Sequence, residues 1–256
     1  MARHAHRLRA GDIARAVVSA GGSLMSNDEL DAHDIAEAVH QLKTPITAVK
    51  GFLDLIENTG ELNALQKQHM ARAMMSLDRM EDVIRNLNAW MQLTYGHPAK
   101  SGAVDLAHLV GECVALIESI ATQSDITLHI DIADGAANLN GDGDLLAHAI
   151  TNLLSNAIKY NRRGGAVWVT VRRDADGVRL SVRDNGIGIA PEEQSRVFDR
   201  FFRASHKHAG RHITGNGLGL AVTQRVITAH GGRIWLESGL NVGTTFHISL
   251  PIGING

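Results

Sequence analysis

His40 lies in the stretch AVHQLKTPITAVKGF, where its imidazole could act as a nucleophile, bind a metal or simply pack against its neighbours. Apolar residues around it recur at alternating steps of four and three, which is the spacing of a heptad seam on a helix. His40 follows the seam residue Val39 by one position, about 100° further round the helix, so we expect it on the solvent-facing flank. Pro45 lacks a backbone N–H and crowds the carbonyl of Gln41, so we also expect a kink just beyond His40.

A second group of residues is suited to a nucleotide and its metal. Asn152 and Asn156 in NLLSN are four apart, on one helix face, where their amide oxygens could reach a hard cation that phosphates also hold. GNGLGL, residues 215–220, precedes an apolar helical run, and the backbone N–H groups and dipole of such a helix start suit a triphosphate. Taken singly, asparagines at this spacing are more often caps or surface residues, and one glycine cluster is weak support.

An aspartate follows a predicted strand in RDNGIGIAPEE. Asp184 could accept a hydrogen bond from an exocyclic amine, and Gly186 and Gly188 would let the backbone approach a planar base. For this stretch alone, an ordinary Asp-Asn-Gly turn is the better interpretation. A nucleotide site becomes the stronger hypothesis only because all three stretches, NLLSN, DNGIGI and GNGLGL, occur in this order.

Two helices must position the histidine. One apolar seam runs from residue 35 to 56 and another from residue 70 to 91, and ENTGELN with Gly60 separates them as a short turn. One hairpin cannot bury both seams alone, so we expect two copies to form a dimeric four-helix bundle. The seams consist of Ile35, Val39, Leu42, Ile46, Val49, Leu53 and Ile56, and of Met70, Ala73, Leu77, Met80, Ile84, Leu87 and Met91.

The stretches suited to bind a nucleotide lie in a region where helical and strand patterns are mixed. Helices and strands come there in runs rather than in strict alternation, so we expect an α/β sandwich with helices on one face of a mostly antiparallel sheet. The predicted elements are a helix over 104–121, a strand over 126–133, a helix over 143–160 that begins at Asp142 or Asp144, and two hairpins with turns at Asp176-Gly177 and near Asn241 to Gly243.

The composition is that of an ordinary globular protein. With 25 basic and 27 acidic residues among 256, it argues against a protein that binds nucleic acid mainly by neutralising phosphates. No apolar run is long enough to span a bilayer, and Cys113 is the only cysteine, so we expect a cytoplasmic protein without an intramolecular disulfide. The expected organisation is a flexible tail over 1–29, a helical hairpin over 30–96, a linker over 97–104, the mixed domain over 105–252 and a tail over 253–256.

Taken together and in this order, these stretches resemble the sensor histidine kinases of two-component signalling. HQLKTP resembles the phosphoacceptor box of that family, NLLSNAIKY its N box, DNGIGI and GNGLGL its two glycine boxes, and VFDRFFR its F box. The resemblance covers roughly residues 30–252. It implies a HisKA-type dimerisation and phosphoacceptor hairpin, followed by an ATP-binding domain of the GHKL (Bergerat) fold shared with gyrase, Hsp90 and MutL.

The resemblance also implies a role for each site residue, with ATP and Mg²⁺ as cofactors. Asp184 would bind the adenine amine, and Asn156 would ligate Mg²⁺ with Asn152 beside it. Lys159 and Tyr160 would lie along the nucleotide. The remaining positions of the implied ATP site are Gly186, Gly188, Arg203, Gly215, Gly217, Leu218 and Gly219.

By the same resemblance, the lid over ATP is the sequence ASHKHAGRHIT, and Arg203 before it could reach the terminal phosphate. Its three histidines could suggest a metal site, but no cysteine or acid is nearby, so solvated residues in a cationic lid are the preferred interpretation. The hinge residues would be Phe198, Phe201 and Phe202, and the three histidines are His206, His208 and His212.

His40 is the implied nucleophile. Its neutral imidazole would attack the γ-phosphorus of ATP, and the phosphoryl group would then pass to an aspartate of a separate response regulator. Thr44 resembles the residue with which the family places a water to dephosphorylate the regulator, and Lys43 could supply charge there. Many family members carry an acid directly after the histidine, whereas Gln41 can fix an imidazole tautomer but supplies no charge.

Two other interpretations stay open. A catalytically inert dimeric scaffold, or a phosphatase-only regulator, would bind ATP without ever labelling His40, and Gln41 is its best support. An ATPase or anti-sigma-type serine kinase would share the nucleotide fold but has no use for a histidine displayed on paired heptad helices. The expected partners are a second copy of the chain, the response regulator and a separate sensory protein, with no nucleic acid.

Overall fold

The computed structural model describes residues 32–95, 102–133, 138–174, 177–204 and 217–252, with side chains of the first helix from Leu42 onward. None of the helices in these ranges has the length and apolarity needed to cross a membrane. The helices are α1 (Ala32–Thr59), α2 (Ala64–Tyr95), α3 (Leu106–Gln123), α4 (Gly143–Lys159), α5 (Pro191–Gln194) and α6 (Gly219–Ala229). The strands are β1 (Gly102–Asp105), β2 (Ile126–Ile132), β3 (Asn138–Gly141), β4 (Gly165–Asp174), β5 (Gly177–Asp184), β6 (Arg233–Gly239) and β7 (Gly243–Leu250).

The first two helices form a hairpin, as predicted. The turn ends in a reciprocal cap at the start of α2, where the backbone N–H of Gln66 donates to Asn63 Oδ1 and that of Asn63 donates to Gln66 Oε1, each at 2.9 Å. Lys50 on α1 binds Asp78 and Glu81 on α2 at 2.9 and 3.2 Å. Such partly exposed ion pairs contribute at most about 1 kcal/mol each, and both join α1 to α2 at the single position Lys50.

The apolar seam is only partly covered within one chain. Leu77 is buried between the two helices, whereas Val49 and Met80 stay about half exposed. Phe52 and Leu55, which the predicted seam omits, are more than half exposed. Large apolar side chains left in water along a helix pair favour burial against another helix pair.

The second half of the chain contains a five-stranded sheet with the strand order β2-β4-β5-β7-β6. β2 and β4 are parallel, and the other three neighbouring pairs are antiparallel. Val167, Val169 and Val171 alternate along β4 and are fully buried in the core shared with α3, α4 and α6. The residues between them are half-buried or exposed, so the helices cover one face of the sheet. The predicted α/β sandwich is confirmed.

The sequence prediction missed a second, small sheet in which β1 pairs antiparallel with β3. Each strand has only four residues, too few to show an alternating pattern. The sheet leads into two helices. Asp105 caps α3 by accepting from the N–H of His108 at 3.1 Å, and Asp142 caps α4 by accepting from those of Asp144 and Leu145. Of the two aspartates considered for the second cap, Asp142 is therefore the capping residue.

Both predicted hairpins are present. In the first, Asp174 of β4 pairs with Gly177 of β5, and the predicted turn residue Asp176 lies outside the described residues. In the second, Asn241 and Gly243 have φ angles of 61° and 119°, so the backbone reverses where the sequence predicts a turn. The second hairpin is important for the site, because its turn packs against the end of β5.

Candidate active site

Helices α4 and α6 meet through a polar contact at the centre of the predicted site. Asn152 on α4 donates from Nδ2 to Thr223 Oγ1 on α6 at 2.9 Å. At the start of α6, a Cβ added to Gly219 would lie 2.3 Å from Oδ1 of Asn152, so only glycine fits there without a shift of that side chain. NLLSN and GNGLGL are therefore in direct contact. Leu218 directly precedes α6, and Gly215 lies outside the described residues.

Asp184 is the last residue of β5, and its side chain is buried. Its Oδ1 accepts hydrogen bonds from the backbone N–H groups of Gly186 at 2.8 Å and Thr244 at 3.2 Å. Burial raises the pKa of this carboxyl to about 6, and the two hydrogen bonds oppose that rise. Among the described residues both bonds fall on Oδ1, which leaves Oδ2 to accept from a ligand.

Close backbone approaches require the glycines of DNGIGI. A Cβ on Gly186 would lie 2.2 Å from the carbonyl oxygen of Tyr160. One on Gly188, which has a φ of 68°, would lie 1.9 Å from that of Gly239. The stretch is thus held between the end of α4 and the end of β6, and Asp184 and Tyr160 lie at the two sides of one loop.

Lys159, Tyr160 and Arg203 form a positively charged corner beside this loop. The Lys159 ammonium lies 5.4 Å from the centre of the Tyr160 ring. Burial lowers the pKa of Lys159; Asp82 of α2 opposes this, while Arg203 and Arg79 add to it. Burial likewise raises the pKa of Tyr160, and Arg203 acts in the opposite direction. Arg203 therefore acts electrostatically on both Lys159 and Tyr160.

The three phenylalanines of VFDRFFR have different environments. Phe198 packs edge-on against Phe246 of the core with 6.4 Å between ring centres, and Phe202 is half-buried. Phe201 is exposed and has a φ of 62°, a conformation that costs a non-glycine residue on the order of 1–3 kcal/mol. Its N–H donates to the carbonyl of Gly217 at 2.8 Å, so the chain before the lid sequence touches the chain after it.

Comparison with known proteins gives two family matches. The model described as "Histidine kinase-, DNA gyrase B-, and HSP90-like ATPase" matches residues 141–254, and "His Kinase A (phospho-acceptor) domain" matches residues 35–96. The solved structure of the mycobacterial sensor histidine kinase MprB is 30% identical, with a TM-score of 0.50, over 59% of this chain and 97% of the solved MprB chain. This chain belongs to the sensor histidine kinases of two-component systems.

Two further relatives agree with this membership. "Sensor-like histidine kinase SenX3" of Mycobacterium tuberculosis is 33% identical over 220 residues, which is 85% of this chain and 53% of SenX3. The crystal structure of full-length ShkA in complex with AMPPNP has a TM-score of 0.66 and 26% identity over 86% of this chain and 45% of ShkA. The chain spans about half the length of the curated relatives it matches.

The HQLKTP stretch, which lies within the residues that match the phospho-acceptor domain, is on α1. The backbone of His40 and Gln41 is helical, and their side chains lie outside the described residues. The helix runs through Pro45 without a break, and the kink there stays a prediction. Lys43 and Thr44 are exposed, so both are accessible to a partner or to water.

The residues present fit a magnesium ion that phosphates also hold. Asn156 lies one helical turn beyond Asn152 in the direction of Lys159. It is half-buried, and its side chain makes no hydrogen bond within the described part of the chain, whereas Asn152 is held by Thr223. In the described ranges no three His, Cys, Asp or Glu side chains form a metal site. One amide oxygen completed by phosphate oxygens and waters is a donor set that suits Mg²⁺.

Sequence reasoning missed two residues that support the candidate nucleotide site. Thr223 holds Asn152, and Thr244 gives a backbone N–H to Asp184. Thr223 is four residues after Gly219 on the same helix, so the helical period could have revealed it. Thr244 carries no comparable signal, because it acts through its backbone and belongs to a strand 60 residues away from Asp184.

Proposed function

We propose that this chain is a protein-histidine kinase that autophosphorylates His40 with ATP and passes the phosphoryl group to an aspartate of a response regulator. The contact between Asn152 and Gly219 carries the proposal, because it joins two boxes that are far apart in the sequence into one site. The chain also contains the phosphoacceptor domain that such a site would serve. The relative ShkA was crystallised with AMPPNP, an ATP analogue, which supports ATP as the nucleotide.

Asp184 recognises the adenine in this proposal. Its Oδ2 accepts a hydrogen bond from the exocyclic amine, while Gly186 and Thr244 fix Oδ1. A carboxylate already held by two backbone donors loses little conformational freedom when the base binds. The carboxyl must be ionised to accept at both oxygens, so adenine binding weakens below its pKa.

Lys159, Arg203 and the start of α6 bind the triphosphate. Backbone N–H groups and the dipole at a helix N-terminus attract anions, and two nearby cations strengthen that attraction. Asn156 is the residue that would hold Mg²⁺, which offsets negative charge on the phosphates when bound. Tyr160 lies beside Lys159 along the nucleotide, with Gly188, Gly215, Gly217 and Leu218 in the loops around it.

His40 is the nucleophile. A ring nitrogen of the neutral imidazole attacks the γ-phosphorus in line, the N–P bond forms, and the bond to the leaving ADP oxygen breaks. The other ring nitrogen would carry the proton, and its N–H would donate to the amide oxygen of Gln41, which would fix the tautomer. The phosphoryl group then passes to a carboxylate oxygen of the regulator, and the imidazole becomes neutral again. Thr44 and Lys43 would position and polarise a water molecule for the phosphatase reaction, in which the regulator is dephosphorylated.

The proposed working unit is a homodimer. The half-exposed seam of α1 and α2, together with Phe52 and Leu55, would pack against a second copy as a four-helix bundle. The response regulator docks on the flank of that bundle, where Lys43 and Thr44 are exposed. A separate sensory protein would supply the signal, and the use of ATP supports a cytoplasmic location.

The test is incubation of the purified protein with γ-labelled ATP and Mg²⁺, comparing wild type with His40→Ala. We expect an acid-labile, base-stable label that disappears in the variant while nucleotide binding is retained. An unlabelled wild type that still binds ATP would instead favour the inert scaffold or phosphatase-only regulator. A label that survives in His40→Ala would favour a kinase acting on another residue.

A further inference from the structure

The loop that follows Asp184 is held by the hairpin of β6 and β7 as well as by the end of α4. The N–H of Asn241, in the turn of that hairpin, donates to the carbonyl of Ile187 at 2.8 Å. A Cβ added to Gly243 would lie 2.1 Å from the carbonyl oxygen of Asp184, so the hairpin rests directly on the loop backbone. Residues 185–189, which we call the base loop, are therefore positioned by strands from a distant part of the sequence.

The hydroxyl group of Ser238 on β6 joins the base loop to the start of β7. Its Oγ accepts from the N–H of Ile189 at 2.8 Å and donates to the carbonyl of Gly243 at 3.0 Å. It also lies 2.9 Å from Thr244 Oγ1. A serine hydroxyl has one donor and two acceptor sites, so the Thr244 hydroxyl must be the donor in this last contact. All three hydrogen-bonding sites of Ser238 are thus used.

Gln194 of α5 closes a ring of hydrogen bonds with Ser238. Its Nε2 donates to the carbonyl of Ile189 and to that of Ser238, both at 3.0 Å. Side chains therefore bind both backbone polar groups of Ile189, because Ser238 takes its N–H and Gln194 takes its carbonyl. Both side chains are half-buried, where hydrogen bonds compete less with water. We call Ser238 and Gln194 the loop clamp.

The loop clamp is connected to the carboxylate of Asp184. Thr244, whose hydroxyl binds Ser238, gives its backbone N–H to Asp184 Oδ1 at 3.2 Å. Gly186 of the base loop gives the other N–H, at 2.8 Å. Each donor on Asp184 thus belongs to a segment that Ser238 holds, one on β7 and one on the base loop. The direction in which Oδ2 points depends on the relative position of these two segments.

That direction is important for the choice of nucleobase. Adenine carries an exocyclic amine at the ring position where guanine carries a carbonyl oxygen. An ionised carboxylate accepts a hydrogen bond from the amine and repels the oxygen. A carboxylate that is held in one direction discriminates between the bases more strongly than one that can turn away from the unfavourable oxygen.

We propose that Ser238 and Gln194 are positioning residues that hold Asp184 and the base loop in place, and so set the preference of the site for adenine over guanine nucleotides. This role rests on the proposed function, in which Asp184 accepts from the adenine amine. Ser238 acts through Thr244 and Ile189, and Gln194 acts through Ile189. The preference for adenine is thus built by residues that support the recognition group from behind.

The affinities for AMPPNP and its guanine counterpart GMPPNP, measured by titration calorimetry with Mg²⁺, test the proposal. Ser238→Ala should lower the ratio of the two affinities roughly 5- to 10-fold, the effect of losing about one hydrogen bond. The affinity for GMPPNP should change little, because both nucleotides share the triphosphate contacts. A general loss of stability would weaken the binding of both nucleotides alike and leave the ratio unchanged. A wild-type ratio in Ser238→Ala would overturn the proposal.

The matched control for this substitution is Ser119→Ala. Ser119 and Gln123 form a hydrogen-bonded pair of the same residue types, with 3.2 Å between Ser119 Oγ and Gln123 Nε2, on the exposed surface of α3. Ser119→Ala should keep the wild-type ratio. A fall in this control as large as in Ser238→Ala would contradict a role specific to the loop clamp.

The second half of the loop clamp is tested with Gln194→Met, which removes the amide donors at similar side-chain length. We expect the ratio of the two affinities to fall roughly 2- to 5-fold, less than in Ser238→Ala, because Gln194 does not reach Thr244 directly. Gln123→Met is its matched control and should keep the wild-type ratio. An unchanged ratio in Gln194→Met would overturn the role of Gln194.

Hydrogen exchange without nucleotide separates failure of the loop clamp from failure of the proposed function. Ser238→Ala should speed amide exchange in residues 185–189 severalfold, because the N–H of Ile189 loses its acceptor. Unchanged exchange would overturn the loop clamp. A wild type that binds AMPPNP and GMPPNP equally would instead overturn the proposed adenine contact of Asp184. A wild type that prefers AMPPNP, beside a Ser238→Ala variant with the same preference, would overturn the loop clamp alone.

Discussion

Asn152 Nδ2 lies 2.9 Å from Thr223 Oγ1, and this hydrogen bond joins α4 to α6 across the nucleotide site. On its other side, the same amide touches Gly219, where an added Cβ would come within 2.3 Å of Oδ1. Asn152 is thus fixed between a hydroxyl and a glycine. The position of the α6 N-terminus, which is proposed to bind phosphate, depends on this contact.

Gly219→Ala should therefore weaken ATP binding strongly. The new methyl group would push α6 away from Asn152 and move the backbone donors at the helix start, and we expect a loss of at least roughly tenfold in affinity. Gly111→Ala is the control, because Gly111 is at an exposed position of α3 and nothing lies within 4 Å of its added Cβ. That change should leave binding unaltered and stabilise the fold by up to about 1 kcal/mol. Equal ATP affinities of the two variants by titration calorimetry would contradict this account.

ATP affinity should fall as the pH falls through about 6, the pKa to which burial raises Asp184. A protonated carboxyl loses acceptor capacity at the adenine amine, so the decrease should approach about tenfold per pH unit below 6. Binding is measured by titration between pH 5 and 8 for wild type and Asp184→Asn. Asp184→Asn is the control for changes in affinity that arise from the titration of ATP itself. If the ratio of the two affinities does not change with pH, Asp184 does not contact the base as an ionised group.

The same carboxyl should make the free energy of unfolding depend on pH. Its pKa rises from 3.8 to about 6 on folding, so the native state holds the proton more tightly. The associated stability is present below the unfolded pKa and is lost as the pH rises through the folded pKa. Relative to Asp184→Asn, wild type without nucleotide should lose about 2 kcal/mol between pH 4 and 6.5. Denaturant unfolding at both pH values checks this, and a constant difference would contradict the assigned cause.

Elements with long periodic patterns were predictable from the sequence. The α1–α2 hairpin and α4 follow from apolar spacing and caps, and both β-hairpins follow from their turn residues. β1 and β3 were not predicted, because a strand of four residues is too short to show an alternating pattern. The parallel pairing of β2 with β4 was also beyond reach, since strand order depends on packing between distant segments.

The candidate site likewise has one part that can be predicted from the sequence and another part that cannot. Boxes such as NLLSN and DNGIGI can be recognised because their residue types are constrained by glycine geometry and amide chemistry. The residues of α2 that pack against the nucleotide-binding domain could not be recognised, because Asn86, Ala89, Trp90 and Leu93 mix residue types and lie on a helix whose heptad seam already accounts for its periodicity. Arg200 and Arg225 carry no local signal either, since their contact with Trp90 exists only when α2 and the domain come together.

Gln41→Glu should speed autophosphorylation. A carboxylate beside the histidine would stabilise the imidazolium that forms during attack, whereas the glutamine oxygen only fixes the tautomer. We expect an increase of up to roughly 100-fold at fixed ATP and Mg²⁺. Initial rates of His40 labelling measure it, with Lys43→Gln as a control for a general change of charge next to the acceptor. An unchanged rate in Gln41→Glu would show that charge at this position does not limit the reaction.

Phe52→Glu combined with Leu55→Glu should convert the proposed dimer into monomers. These side chains are 64% and 61% exposed within one chain and three positions apart on α1, so a second copy is the natural partner for their burial. Burying two charges at such an interface should raise the dimer dissociation constant by at least roughly 100-fold. Sedimentation velocity across a concentration series checks the result. Leu116→Glu is the control, because Leu116 is equally apolar and 72% exposed but lies on α3 outside the hairpin. A chain that stays dimeric with both glutamates in place would place the dimer contact elsewhere.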